Sequence, residues 1–174
     1  MNAFIEILKI LIPAAAVFAA AYFLVNRFLE NDQKRREHEL KKSVQGAITP
    51  LKIQAYERVI ILLERINPNN LVVRVNKNGM SSRQLHQELI ASVKSEYEHN
   101  LSQQIYISSG AWELVKTSKE EIIQLVNISS SKVAHDSNSS ELAMMILNIT
   151  ANLGKKLPND VAIEYIKKEI AQTF

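Results

Sequence analysis

The fold is decided by one stretch, residues 50–66, which reads PLKIQAYERVIILLERI. Its apolar side chains recur every three or four positions, the spacing of one face of an α-helix. This stretch therefore predicts a helix with a deeply buried face, which the sequence Asn67-Pro68 ends. The stripe consists of Leu51, Ala55, Val59, Leu62 and Ile66, widened by Ile60 and Leu63.

Outward from this stretch, the same periodicity predicts four more amphipathic helices, at about residues 81–99, 110–133, 138–153 and 159–172. In the last of these helices, the residues expected to face the core are Val161, Tyr165, Ile166 and Ile170. Ser81 and Gln84 form a capping box, and Asn138 with Glu141 caps the helix that Gly154 ends. Only four glycines and four prolines occur, which suits long helices. We therefore predict an all-α fold, a compact bundle of about five amphipathic helices over residues 48–174.

Two short segments between these helices are apolar and β-branched, residues 71–75 and 105–107. Such residues favour strands, so both segments are expected to be extended or irregular. A small two-stranded ribbon between them is the alternative, although such a pair is marginal alone.

The N-terminal region contains an uncharged run at residues 10–25, which reads ILIPAAAVFAAAYFLV. Counted over residues 4–24, the apolar segment has about 21 residues, the length that crosses roughly 30 Å of hydrocarbon. We predict a transmembrane anchor over residues 1–29. A cleaved signal peptide is the alternative, because Ala19-Ala20-Ala21 fits the small-x-small rule. The apolar segment continues past this site to Leu29, which favours the anchor.

A charged stalk is predicted over residues 30–47. Glu30 with Lys34 and Glu37 with Lys41 have the spacing of helical ion pairs, so the helix should continue into water. Basic residues are concentrated on the C-terminal side of the apolar run, which predicts that the N-terminus lies outside and the domain in the cytoplasm. This flank contains Arg27, Lys34, Arg35, Arg36, Lys41 and Lys42.

The apolar run also carries small residues four positions apart. Such a face lets two membrane helices approach closely, which makes a homo-oligomer possible. Alanine is also simply an adequate helix former in lipid, and this alternative stays open. The residues are Ala15, Ala16, Ala19 and Ala20.

No catalytic or cofactor motif is present in the sequence. The chain has no cysteine, no glycine-rich phosphate loop and no nucleophile elbow. Glu96 and His99 have the E-x-x-H spacing of metal-binding bundles, but such a site needs two of these motifs. We predict no cofactor, because no cofactor-binding motif is found. We also predict no nucleic acid, since the net charge is only +3. An enzyme or metal site around Glu96 and His99 is the alternative function.

One segment has the composition of a recognition surface. Amides beside aromatic residues can satisfy a partner's backbone and bury area at low entropic cost. The other interpretation is that these amides hold their own loop. The candidate partner-binding residues are His99, Asn100, Gln103, Gln104, Tyr106 and Trp112.

Several phrases resemble a family of uncharacterised single-pass membrane proteins from Bacteroidota, a domain of unknown function. They are LKIQAYERVIILLERINPNNLVVRV at residues 51–75, SEYEHNLSQQIYIS at residues 95–108, and Ala111-Trp112. The resemblance implies a bacterial inner-membrane setting and no particular activity. The predicted anchor, the stalk and a domain without catalytic motifs together lead us to expect a membrane-anchored helical interaction module, an adaptor, scaffold or accessory subunit with a protein partner.

Overall fold

The computed structural model describes residues 2–173, with the side chains of residues 7, 9, 11, 12 and 15–172. This part of the chain contains no strand; its one β-bridge joins Ser81 to Asn138. The all-α prediction is therefore confirmed. The helices are α1 (Asn2–Arg65), α2 (Pro68–Val75), α3 (Ser82–His99), a 3₁₀ helix (Leu101–Ile105), α4 (Ser109–Ser130), α5 (Ser139–Ala151) and α6 (Pro158–Thr173).

The chain divides into two compact units, Met1–Thr49 and Pro50–Phe174. In the first unit the described residues are helical and nearly all their side chains are exposed. Its ion pairs follow the i,i+4 spacing: Arg36 contacts Asp32 at 2.9 Å and Arg35 contacts Glu39 at 3.0 Å. Exposed pairs of this kind stabilise a helix by only about 0.3–0.5 kcal/mol each.

The predicted transmembrane anchor is wrong. Within the described part of the chain, no helix offers a stretch long and apolar enough to cross a bilayer. The count of about 21 residues took in the charged Glu6 and Lys9, whereas the uncharged run at residues 10–25 has 16. At the rise of an α-helix this run measures about 24 Å, which is shorter than the ~30 Å of hydrocarbon.

The predictions that depended on this anchor are corrected by the same finding. They are the integral single-pass membrane protein, the inner-membrane location with the N-terminus outside, and the pairing of membrane helices through alanines. Each needs a spanning helix, because the positive-inside rule and close packing in lipid both describe such helices. The alanines concerned are Ala15, Ala16, Ala19 and Ala20.

The second unit is built around one buried cluster. The apolar stripe at residues 50–66 supplies its centre, because Val59, Leu62 and Ile66 are completely buried. The remaining helices surround this stripe with aliphatic side chains that recur at helical spacing. Their buried members include Leu71, Leu85, Leu89, Val93, Val115, Ile122, Val126, Leu142, Ile146 and Ile166.

Helix α6 turns a different face inward from the one predicted. Val161 and Tyr165 were expected in the core, yet they are 42% and 44% exposed. Ala162 and Ile163 are buried instead, beside the correctly predicted Ile166. The stripe is rotated by about one residue, since both choices give helical spacing and only the neighbouring helices decide between them.

The expectation for residues 71–75 is also wrong, because they form the end of α2. Asn67 caps this helix by accepting a hydrogen bond from the backbone N–H of Asn69 at 3.2 Å, and Pro68 occupies its first turn. Leu71 and Val75 then lie four positions apart on the buried face. Capping and burial outweigh the β propensity of the valines. The alternative ribbon is absent from the described residues.

The capping box predicted at the start of α3 is confirmed. The backbone N–H of Ser81 donates to Gln84 Oε1 at 2.9 Å, and the N–H of Gln84 donates to Ser81 Oγ at 3.3 Å. The first turns of α3 and α5 lie side by side, because Ser82 N–H donates to the carbonyl of Ser137 at 2.9 Å. The start of α3 is therefore fixed both by a local cap and by a long-range contact.

Candidate interaction surface

Helix α3 ends where Asn100 caps it. The side-chain amide of Asn100 donates to the carbonyl of Glu96 at 2.8 Å, and its backbone N–H donates to the carbonyl of Tyr97 at 3.1 Å. The chain then tightens into the 3₁₀ helix (Leu101–Ile105), in which Gln103 N–H donates to the carbonyl of Asn100 at 3.0 Å. This change of helix type turns the chain at one corner of the bundle.

The 3₁₀ helix buries none of its side chains. Leu101 is 43% exposed and Ile105 is 76% exposed, whereas Ile107, two positions further on, is only 8% exposed. Full burial of a large aliphatic side chain is worth roughly 1.5–3 kcal/mol, so two of them left in water on one short element form a candidate contact surface. We name its exposed residues, Leu101, Ser102, Gln104 and Ile105, the corner surface.

The structure places five of the six predicted partner-binding residues in or next to this corner. His99 and Gln104 are exposed, while Asn100, Gln103 and Tyr106 are half-buried. Asn100 uses its amide to cap α3, and Gln103 donates its amide to Ser102 Oγ at 3.3 Å. These two amides therefore hold the corner itself, and Gln104 presents its amide to solvent.

The sixth residue, Trp112, lies in the core with 5% exposure. Its ring stacks on Tyr97 with a centroid distance of 5.4 Å, and Lys119 Nζ lies 4.5 Å from the Tyr97 ring centre. The indole N–H of Trp112 has no hydrogen-bond partner among the described residues. Trp112 therefore contributes buried aromatic area to α3 and α4 rather than a surface contact.

A carboxylate ties the chain down on the other side of the corner. Glu169 on α6 accepts hydrogen bonds from the Tyr56 hydroxyl at 2.5 Å and from the Ser108 backbone N–H at 3.2 Å. The Ser108 hydroxyl also donates to this carboxylate. Ser108 in turn caps α4, because its Oγ accepts from the N–H of Ala111 at 3.1 Å. One acidic side chain thus connects α1, α6 and the start of α4.

These contacts change the acidity of both partners. Burial, together with the hydrogen bond to Glu169 and its charge, raises the pKa of Tyr56 far above its ordinary value. Burial alone would raise the pKa of Glu169, but the hydrogen bonds from Ser108 and Tyr56 and the charge of Lys52 outweigh it and lower that pKa. Glu169 is therefore an ionised carboxylate with a structural role, and the protons of its hydrogen bonds stay on Tyr56 and Ser108.

The E-x-x-H pair does not come together as a metal site. Glu96 accepts from the guanidinium of Arg65 at 2.7 Å, and Arg74 lies 3.7 Å away. His99 is exposed. Over the described residues, no three or more His, Cys, Asp or Glu side chains are grouped so that they could hold a metal ion. The carboxylate of Glu96 is used for ion pairs between helices.

A groove of about 320 Å³ between α4 and the start of α6 is the second candidate surface. Its apolar part includes Leu114 and Val161. Two ion pairs lie at this groove: Lys155 is 4.0 Å from Glu121 and Lys156 is 2.5 Å from Glu164. These charged side chains already pair with each other and are therefore less available to bind a partner. The uncharged corner surface is the stronger candidate.

Two features of the corner escaped the sequence-based prediction. The exposure of Leu101 and Ile105 was missed because Ile105 was assigned to a β-like run. One signal was available: residues 100–112 contain no charged side chain, in a chain of which 22% is charged. The contact between Tyr56 and Glu169 had no such signal, since 113 positions separate the two residues.

Comparison with known proteins adds one positive finding. Residues 2–173 match the model of one protein family, which is described as a family of unknown function (DUF7935). No curated protein matches the chain, and no solved structure matches it.

Proposed function

This chain belongs to the DUF7935 family of unknown function, and we propose that it is a helical interaction module that binds another polypeptide through the corner surface. It serves as an adaptor, scaffold or accessory subunit. The observation that carries the proposal is the exposure of Ile105, 76%, beside Leu101, 43%, on an element that buries nothing. We also propose that the family occurs in Bacteroidota. This proposal would be contradicted if the chain came from an organism outside that group.

The chemistry of the corner supports this role. Protein interfaces combine a desolvated apolar centre, which contains few charged residues, with a polar rim. Ile105 and Leu101 offer such a centre. Gln104 and Ser102 supply hydrogen-bonding groups beside it. A partner gains more from a surface that is already ordered, because less side-chain and loop freedom is lost on binding.

The corner is held on both sides by the core. Asn100 closes α3 before it, and Ser108 with Glu169 fixes the chain after it. The stack of Tyr97 on Trp112 joins the helices that flank it. The corner surface therefore rests on three helices and does not depend on a free loop.

The test is co-purification with the full-length chain carrying Ile105→Glu. A buried carboxylate without a partner is costly, so proteins that bind the corner surface should be lost from this variant. The matched control is Val73→Glu, since Val73 on α2 is 78% exposed but lies outside the corner. We expect the same stoichiometric partners with wild type and Val73→Glu, and their absence with Ile105→Glu.

Unchanged partners with Ile105→Glu would sink the proposal, as would recovery of the wild-type chain alone and as a monomer under several mild extraction conditions. The comparison is valid when all three proteins are equally folded. Both substituted side chains are largely exposed, so the melting temperatures should agree within about 2 °C.

A further inference from the structure

We infer that the corner surface pairs with the corner surface of a second copy of this chain, an inference that rests on the proposed function and names the partner. Its first ground is charge. In a two-fold symmetric interface, residues near the axis face their own copies, so any charge there would oppose a like charge. Residues 100–112 contain no charged side chain, and the corner surface meets this condition.

The second ground is hydrogen bonding. The exposed amide of Gln104 is both a donor and an acceptor, and the hydroxyl of Ser102 is as well. Each of these groups can therefore bond to its own symmetry mate. A lysine has only donors and a carboxylate only acceptors, so neither could satisfy itself in this way.

The third ground is the apolar centre. Ile105 and Leu101 lose their exposed area when they pack against the same residues of the second copy. The surface is small beside a standard interface, which buries about 800 Å² on each partner. The dimer should therefore be weak, and the fraction of chains in the dimer should rise with the protein concentration.

The absence of cysteine from the sequence allows a sharp test. In the full-length chain, Ser102→Cys places one thiol on the corner surface, and Ser140→Cys places one at an exposed position of α5 as the matched control. A disulfide needs Cβ atoms about 3.5–4.5 Å apart, so oxidation reports contact between copies. Pairing raises the effective concentration of the thiols, and we expect Ser102→Cys to form covalent dimer about tenfold faster than the control.

Adding Ile105→Glu to Ser102→Cys should return the rate to that of the control, because two carboxylates then face each other. Adding Val73→Glu should leave it unchanged. Gln104→Cys provides a second position on the corner surface and should behave like Ser102→Cys. Circular dichroism of each variant confirms that the helices are retained.

Equal rates for Ser102→Cys and Ser140→Cys would overturn the inference, and so would a fast rate that Ile105→Glu leaves unaltered. These results remain separable from the proposed function. If a different protein is captured through Ile105 while no corner dimer forms, the inference fails and the interaction module stands. If neither dimer nor captured protein depends on Ile105, both are wrong.

Discussion

The hydroxyl of Tyr56 donates a hydrogen bond of 2.5 Å to Glu169, although 113 positions of sequence separate the two residues. Tyr56 is 4% exposed, so this contact lies at the edge of the core and not on the outer surface. It joins the second unit's first helical segment to its last helix. Ser108 shares the same carboxylate, which places the chain that follows the corner surface.

Tyr56→Phe should destabilise the protein by about 1–2 kcal/mol, because it removes a hydrogen bond to a charged acceptor while keeping the ring. The free energy of unfolding from urea titration measures this loss. Tyr165→Phe is the control, since Tyr165 is 44% exposed and should change little. An equal effect of the two substitutions would contradict a structural role for the Tyr56 hydroxyl.

The contribution of Glu169 should depend on pH in the acid range. Its pKa is lowered in the folded protein, so its stabilisation is present above the ordinary carboxyl pKa of about 4.3 and is lost as the pH falls through the lowered value. The difference in unfolding free energy between wild type and Glu169→Gln should therefore be largest at neutral pH and shrink below about pH 4. A difference that grows on acidification would refute this assignment.

Tyr56 should also resist ionisation in alkali. Its raised pKa means that the folded state keeps the phenol protonated above the ordinary value of about 10, so this group's stabilisation declines as the pH rises beyond that value. Absorbance at 295 nm should reveal one tyrosine that ionises late. The Tyr56→Phe variant should lack this step, and its persistence there would show that another tyrosine is responsible.

Ile105 and Ile107 should respond oppositely to the same substitution. Ile107→Glu places a carboxylate where the isoleucine is 8% exposed and should cost more than about 3 kcal/mol. Ile105→Glu should change stability by less than about 0.5 kcal/mol, because the side chain is already in water. Thermal unfolding of both variants checks this contrast, and similar melting temperatures would mean that the corner is oriented differently.

Asn67→Ala tests whether residues 71–75 are helical. Asn67 caps α2, so its removal should cost about 1 kcal/mol, and Asn67→Asp should retain the cap. Urea titration of both variants is the measurement. An extended segment would need no cap, and Asn67→Ala would then have no effect.

Much of the fold follows from local sequence. The capping box of Ser81 and Gln84 marks the start of α3, since its donors and acceptors lie within one turn of helix. The stripe at residues 50–66 places Val59, Leu62 and Ile66 in the core because a helix repeats every 3.6 residues. The segment of the candidate interaction surface was proposed from its amides and aromatic residues, which are visible in the sequence, and its role in binding stays a prediction.

What local pattern could not supply was the choice between alternatives of similar local energy. Residues 71–75 favour strand by composition, and only capping by Asn67 with burial of Leu71 and Val75 makes them helical. The amide of Asn100 could have faced a partner, but it caps its own helix. The length of the uncharged run at residues 10–25 was available in the sequence, and there the error was to count charged neighbours with it.

The sequence by itself therefore determined the helical class, most helix ends and the region of the corner, because periodicity and capping act over a few residues. Only the tertiary structure decided which residues of that region face outward. Trp112 is buried against Tyr97, Ile105 is left in water, and Glu169 meets Tyr56 and Ser108. These outcomes depend on helices that are distant in sequence, and no local pattern records which of them will be neighbours.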